Sequence, residues 1–339
     1  MSLTKAHNRM IQGATLNVLD FGATGDGVTD DSAAIRLALD SVPDQGGAIF
    51  FPSGKYYVPT TVYIPQRKLG TGEPTTKGRG IHILGDNALI IGNSNVIFES
   101  GTGTVSTGGS TNWGLTPDTA ATLHYNNIID GLTFSTASIA IKVFNFVQNC
   151  AVTNCFFDNC VTSVQCSNCF LFDLRNCASV GSTSIGSNDI IYNFDTANNN
   201  MHIEGVSGQS GSGTGIVFSF TGSTFGNLIS NCDAESARVG IQFDGGINNT
   251  SIIGNYIEGV SIGIFLGDNT KNGVYIDGNR IQSSLYNIQS TGDFVRGYIG
   301  PNNSFVTVND IEITGSSNTA IIELAKRNFP NTGSGNHTT

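Results

Sequence analysis

The stretch Ile252–Glu258 reads IIGNYIE, and it recurs 24 residues later as Ile276–Gln282, IDGNRIQ. A related stretch, Leu228–Asp233, reads LISNCD and begins 24 residues before the first. In each stretch a small residue or an asparagine separates two runs of β-forming residues, which indicates a tight turn between strands. A sequence period of about 20 to 50 residues is typical of repeat folds. We therefore predict a solenoid.

The repeated turn can be followed through most of the chain. Its anchors are 22 to 29 residues apart and fall at Gly131, Asn154, Asn176, Gly205, Asn231, Asn255, Asn279 and Asn303. Asparagine suits this position because its side chain tolerates the left-handed region and can bond the asparagines of neighbouring rungs. A rung of three short strands and three turns needs about this length. The pattern predicts an all-β stack of parallel strands.

Residues 15–65 form a different module. The Asp30-Asp31-Ser32 sequence predicts a helix N-terminus, and the helix should run to about Ser41. Its apolar positions fall on one face, at Ile35, Ala38, Leu39 and Val42. Because a solenoid end exposes core residues and unpaired backbone groups, we predict that this helix caps the N-terminal end.

Composition excludes several classes of protein. The net charge of −10 disfavours a nucleic-acid partner, because phosphate binding needs basic patches. No stretch of about eighteen apolar residues is present, so we expect no membrane span. Residues 1–15 contain no apolar run, and we expect no secretory signal peptide.

The chain has seven cysteines, and six of them lie between Cys150 and Cys177. Six of the seven directly follow an asparagine, which suggests that one position of the rung is reused. We predict free, buried thiols that pack as small apolar groups. The pair Cys166-x-x-Cys169 has neither a nearby histidine nor a second pair at ligand spacing, so zinc is not expected. We predict neither a metal nor another cofactor.

The N-terminal module resembles a known superfamily. Asn17–Ile35, followed by Gly46–Tyr56 (GGAIFFPSGKY), looks like the beginning of the pectate-lyase-like superfamily. That superfamily contains pectate lyases, polygalacturonases and phage tailspikes. The resemblance implies a single-stranded right-handed parallel β-helix. A weaker similarity links Ser2–Ile11 to the segment that precedes this module in phage tail proteins.

The expected organisation has four parts. Residues 1–14 are predicted to be an N-terminal tether, and residues 15–65 the opening module with its capping helix. The parallel β-helix is predicted over residues 66–325, with projecting loops at about 66–80 and 100–120. Residues 326–339 are polar and are predicted to be a disordered tail.

The surface of such a repeat is mostly Ser, Thr and Asn, and four acidic residues stand out on successive rungs: Glu204, Asp233, Glu235 and Glu258. Rungs are about 4.8 Å apart, so carboxylates on adjacent rungs can lie at the separations that glycoside cleavage requires. Like charges this close raise one pKa and produce a general acid. We predict that these four residues are catalytic. The alternative for each is an ordinary solvated charge.

Asp233 is the most distinctive of the four, because the repeat alignment places it where other rungs carry Phe156, Ile257, Ile281 and Phe305. A carboxylate in an apolar position costs stability unless it has a role. The alternative is that this rung is out of register and that Ala234 fills the apolar position.

Four further residues are candidates for substrate binding: Trp113, Arg238, Arg280 and Tyr256. The aromatic side chains can stack on sugar rings, and the arginines can bind an acidic sugar. The arginines can equally neutralise the nearby acids by pairing with them.

The resemblance implies a function. The leading hypothesis is a phage tailspike-like depolymerase, a glycoside hydrolase that binds and cleaves a bacterial surface polysaccharide such as capsule or O-antigen. It would be a homotrimer in the virion tail, or otherwise extracellular. The first alternative is a non-enzymatic glycan-binding structural component of the tail. The second alternative is a bacterial pectate-lyase-like polysaccharide lyase.

Overall fold

The computed structural model describes residues 15–43, 46–65, 80–100, 124–182, 189–301, 303–306 and 311–323. These residues form a right-handed-type parallel β-solenoid of about ten turns, which confirms the predicted all-β repeat fold. Each complete rung after the first contributes strands to three long faces, called sheets A, B and C in chain order. The predicted tether and the predicted C-terminal tail lie outside the described residues. The two predicted long loops, the second of which contains Trp113, lie almost entirely outside them.

Sheets A and B meet at the repeated turn. Strands of sheet A are Leu16–Asn17, Gly47–Phe51, Val147–Thr153, Phe170–Arg175, His202–Glu204, Leu228–Ser230, Ser251–Ile253, Tyr275–Asp277, Tyr298–Ile299 and Ile321–Ile322. Strands of sheet B are Asp26–Asp30, Gly54–Tyr57, Phe156–Cys160, Ala178–Gly181, Ser207–Gln209, Asp233–Glu235 and Ser304–Phe305. Two long strands, Ile81–Ile91 and Ile128–Ser135, bend at the turn and belong to both sheets.

Sheet C completes the triangular cross-section. Its strands are Val62–Ile64, Val96–Ser100, Ile139–Phe144, Thr162–Ser167, Ile190–Asp195, Ile216–Phe220, Val239–Phe243 and Ile311–Ile313. The strands Tyr256–Leu266 and Arg280–Ser290 run through both B and C. A short sheet D lies between C and A in the later rungs, with strands Thr224–Phe225, Ile247–Asn248, Lys271–Asn272 and Phe294–Val295.

The N-terminal helix has the predicted position. It spans Ser32–Asp40, and Ile35, Ala38 and Leu39 are fully buried. Asp31 lies at its N-terminus but accepts hydrogen bonds from Thr24 instead of capping the helix. Whether the helix closes the end of the solenoid stays a prediction.

Inward-facing side chains of equal register stack into ladders, and these form one continuous core. Phe194, Phe220 and Phe243 lie one above the other, with ring centroids 4.5 Å and 4.3 Å apart. At the turn between sheets A and B, Asn255 donates through Nδ2 to Asn279 Oδ1 at 2.9 Å. Asn279 donates to Asn303 in the same way at 3.0 Å, so the predicted asparagine ladder is present.

All seven cysteines are free and buried, as predicted. Cys155, Cys177 and Cys232 each follow the left-handed asparagine of the turn and point inward. Burial raises the pKa of the Cys232 thiol to about 12. Free and buried, the thiols pack as small apolar core groups.

Candidate active site on sheet B

Three of the four predicted acids share the outer face of sheet B. Strand pairing places Asp233 beside Tyr256 and Glu235 beside Glu258 on the next rung. Asp233 and Glu235 are two residues apart on one strand, so their side chains leave the same face. Ala234, between them, points into the core and is 1% exposed. The local alternation therefore brings three carboxylates together on the surface.

The position of Asp233 corrects the sequence alignment. Asp233 pairs with Tyr256, and Ile257 pairs with Ala234, so the alternative reading of this rung is the right one. The left-handed residue of the turn is Asn231 on one rung but Gly254 on the next, with φ of 53° and 67°. Aligning Asn231 with Asn255 therefore shifts the register by one residue, which moves every side chain to the opposite face.

Asp233 has the electrostatics of a general acid. Partial burial, followed by the charges of Glu235 and Glu258, raises its pKa to about 6. Its Oδ1 atom is buried and has no hydrogen-bond partner among the described residues. A carboxyl group in this state holds a proton near pH 6 and has an atom available for a ligand.

A groove adjoins the acids on sheet B. Phe156 and Val180 line one end, while Asp233 and Glu235 line the other. Ala178 and Ser207, on the rungs between, leave a depression of about 200 Å³ that Gln209 also lines. This volume is smaller than the roughly 300–1,000 Å³ of pockets that enclose a ligand. The geometry suits one unit of a longer chain lying across the surface.

Glu204 does not join this cluster. It lies on sheet A, beside Arg175 of the preceding rung, because the chain turns at Gly205 with φ of 62° before sheet B begins. His202 Nε2 lies 3.5 Å from Glu204 Oε2. The expectation that all four acids share one site is therefore wrong for Glu204, since rung spacing alone does not show which face a residue occupies.

Two predicted substrate-binding residues do lie beside the acids. Tyr256 and Arg280 follow Asp233 in the same column of sheet B, one and two rungs away. The Arg280 guanidinium lies 4.9 Å from the centroid of the Tyr256 ring. Arg238 is exposed at the turn from sheet B to sheet C. Trp113 lies outside the described residues.

The arginines do not neutralise the acids. Among the described residues, the ion pairs involve Lys142, Arg175 and His202, and none reaches the sheet B carboxylates. The described part of the chain also contains no group of three or more histidine, cysteine, aspartate or glutamate side chains placed to hold a metal. Within the same part, no helix is long and apolar enough to cross a membrane.

Sequence reasoning missed the groove residues. Phe156 and Val180 are 42% and 37% exposed, although both occur in runs of β-forming residues that look like core. Their orientation becomes readable only when the register is fixed by the left-handed turn residue, which is Asn154 or Asn176 on these rungs. With that anchor, residues two and four positions later face outward.

Known proteins share both the fold and parts of the sequence. Mannuronan C5-epimerase AlgE5 of Azotobacter vinelandii is 54% identical over 43 residues, which is 12% of this chain and 4% of the enzyme's length. The polygalacturonase of Erwinia carotovora superposes with a TM-score of 0.60 at 9% identity, covering 95% of this chain and 99% of the enzyme. ORF18 of Geobacillus virus E2 superposes with a TM-score of 0.53 at 13% identity, covering 94% of this chain and 63% of that one.

At these identities the two structural likenesses establish the fold alone. The family model described as rhamnogalacturonase A/epimerase, pectate lyase-like matches residues 15–292, which include the whole of the sheet B site. The chain therefore belongs to the rhamnogalacturonase A/epimerase, pectate-lyase-like family, and its fold is that of the pectin-lyase superfamily.

Proposed function

We propose that the protein is a phage tailspike-like depolymerase that hydrolyses glycosidic bonds of a bacterial surface polysaccharide. The observation that carries the proposal is the unpaired carboxylate cluster of sheet B, in which the pKa of Asp233 is raised to about 6. Two observations support the substrate class. The family is pectate-lyase-like, and the fold is shared with a polygalacturonase and a phage protein.

The chemistry follows from the difference between the carboxyl groups. Asp233 retains its proton near pH 6 and donates it to the glycosidic oxygen as the bond breaks. Glu235, on the same strand and face, removes a proton from the attacking water. Glu258, beside Glu235 on the next rung, contributes negative charge that keeps Asp233 protonated. No metal or other cofactor takes part in this scheme.

A panel of capsules and O-antigens tests the proposal. The wild-type protein should release reducing ends from at least one member at pH 5–6. Asp233→Asn should lose about 10²- to 10⁴-fold of that rate, because the amide cannot donate the proton. If no member of a broad panel is cleaved, or if the asparagine variant cleaves as well as wild type, the proposal is wrong.

A glycan-binding rod without catalytic activity is the second candidate. The shallowness of the sheet B groove favours it, because a depression of about 200 Å³ can bind a chain without enclosing the bond to be broken. In that case wild type and Asp233→Asn would retain the same polysaccharide equally well, and neither would release reducing ends. Release of products absorbing in the ultraviolet would instead identify a lyase.

Assembly and location are further parts of the proposal. We infer that the protein acts as a homotrimer in a virion tail or otherwise outside the cell. Sedimentation equilibrium of the full chain should give three times the monomer mass of 35.6 kDa. A monomer at micromolar concentration would contradict this assembly.

A further inference from the structure

The sheet B groove has a distinct order of side chains along the solenoid axis. Phe156, Ala178, Ser207 and Asp233 occupy the same column on four consecutive rungs. The two small residues in the middle leave a gap about 10 Å long, given a rung spacing of about 4.8 Å. The acid therefore stands at one end of the gap and an aromatic ring at the other.

The charge around the gap favours an uncharged occupant. Asp233 and Glu235 line it, and no basic side chain does so among the described residues. A sugar carboxylate in this position would face two carboxylates in a partly desolvated environment, where repulsion is stronger than in water. The nearest cation in the column, Arg280, lies two rungs beyond Asp233 and stacks on Tyr256.

The far end of the gap presents two exposed apolar side chains, with Asp158 beside Val180 on one neighbouring rung and Gln209 beside it on the other. Phe156 is 42% exposed and Val180 is 37% exposed, and they lie on neighbouring rungs of the same face. Covering a methyl group with Phe156 and Val180 removes apolar area from both partners, and a hydroxyl group in the same place would remove less.

We propose that the groove binds a neutral sugar unit that presents a methyl group to Phe156 and Val180. The methyl group belongs either to C6 of a 6-deoxyhexose or to an O-acetyl ester. The linkage to be cleaved points towards Asp233 and Glu235. This inference rests on the proposed function for its substrate class and assigns Phe156 as a specificity-determining residue.

A set of sugars that differ only at C6 tests this assignment. The methyl glycosides of D-fucose, 6-O-acetyl-D-galactose, D-galactose and D-galacturonate present a methyl, an acetyl, a hydroxymethyl and a carboxylate group, respectively. The corresponding manno series repeats the comparison with another ring stereochemistry. Binding to the full chain is measured by saturation-transfer difference NMR at pH 7.

In at least one series, the deoxy or acetylated sugar should bind about fourfold more tightly than its 6-hydroxy counterpart. The uronate should bind most weakly. Phe156→Ala should abolish the preference, and Val180→Ser should reduce it. Leu285→Ala is the matched control, because Leu285 is 59% exposed but does not line the groove. This variant should keep the preference.

Three results would overturn the assignment: tightest binding of a uronate, a preference that survives Phe156→Ala, or no measurable binding in either series.

The two proposals fail separately. A polysaccharide panel without cleavage refutes hydrolysis and leaves the sugar ranking intact. Cleavage combined with a reversed ranking refutes only the methyl subsite. If the deoxy sugar binds more tightly than the acetylated one, the methyl group is C6 of a 6-deoxyhexose. If the acetylated sugar binds more tightly, the methyl group belongs to an O-acetyl ester.

Discussion

Sheets A and B carry two clusters of charged side chains, on either side of the same turn. On sheet A, Arg175 Nη2 lies 3.1 Å from Asp173 Oδ2 and 2.8 Å from His202 Nδ1. His202 in turn lies beside Glu204. Each acid of this cluster has a basic neighbour, and the side chains are about one-third exposed. Such a cluster is what an ordinary solvated surface produces.

On sheet B, by contrast, Asp233, Glu235 and Glu258 have no cationic partner among the described residues. Partial burial, followed by the charges of Glu235 and Glu258, raises the pKa of Asp233, and its Oδ1 atom has no hydrogen-bond partner among the described residues. A perturbed, uncompensated group beside a groove is a candidate for function, whereas a compensated cluster is a candidate for surface stability. The contrast separates two sets of acids that look alike in the sequence.

The largest expected effect is on the rate of cleavage, and it is tested by the same substitution, glutamate to glutamine, on sheet B and on sheet A. Glu235→Gln should lower the rate of polysaccharide cleavage by about 10²- to 10⁴-fold, because it removes the base that activates water. Glu204→Gln, on sheet A, should change the rate by less than about twofold. Equal losses in the two variants would show that the acids form one site and that the contrast is wrong.

The second effect is on stability. The pKa of Asp233 is raised to about 6 in the folded protein, against about 3.9 when unfolded. The folded state therefore binds the proton more tightly, and wild type loses stability as the pH rises from about 4 to about 6. Asp233→Asn escapes this loss, so its free energy of unfolding at pH 7 should exceed that of wild type by about 1 kcal/mol after allowance for exposure.

Urea denaturation at several pH values checks this expectation. The advantage of Asp233→Asn should be present at pH 7, should shrink as the pH falls through about 6 to 4, and should disappear near pH 3, where wild type is protonated in both states. Asp158→Asn provides the control, since Asp158 lies on the same face of sheet B but away from the three acids. If Asp233→Asn is less stable than wild type at pH 7, the Asp233 carboxylate has favourable partners in the folded protein and the expectation is wrong.

The third effect concerns the pH profile of cleavage. A general acid works only when protonated, so kcat/KM should fall as the pH rises above about 6. Glu258→Gln removes one of the charges that raise the pKa of Asp233, and the alkaline limb should move to lower pH by several tenths of a unit. Glu204→Gln should leave the limb in place. If the alkaline limb does not move in Glu258→Gln, the general acid is a group other than Asp233.

These contrasts also show what the sequence could reveal. The 24-residue period predicted the stacked strands correctly, because every rung must present the same inward pattern to one continuous core. The same period misaligned one turn. Asparagine is favoured both as the left-handed residue, as at Asn231, and as the buried ladder residue after it, as at Asn255. An asparagine in either role looks the same in the sequence. The two roles differ by one residue, so aligning them assigns the following side chains to the wrong face of the sheet.

The candidate site depended on that difference. Glu235 and Glu258 were found from the sequence because they are acids on adjacent rungs, and the structure brings them together. Glu204 met the same criterion, and the turn at Gly205 places it on another sheet. The groove between Phe156 and Asp233 was not predictable, since it arises from small residues on two intervening rungs whose stacking requires the three-dimensional register.

The smallest expected effect is the coupling within the sheet A cluster. A double-mutant cycle with Asp173→Asn and Arg175→Gln should give a coupling free energy of about 0.5 kcal/mol, because an exposed pair gains little over its hydrated charges. In 1 M salt the coupling should fall towards zero, since exposed charges are screened within about 3 Å. A coupling above about 2 kcal/mol that persists in salt would show that sheet A also holds a desolvated charged site. The balance of charges would then no longer distinguish the two faces.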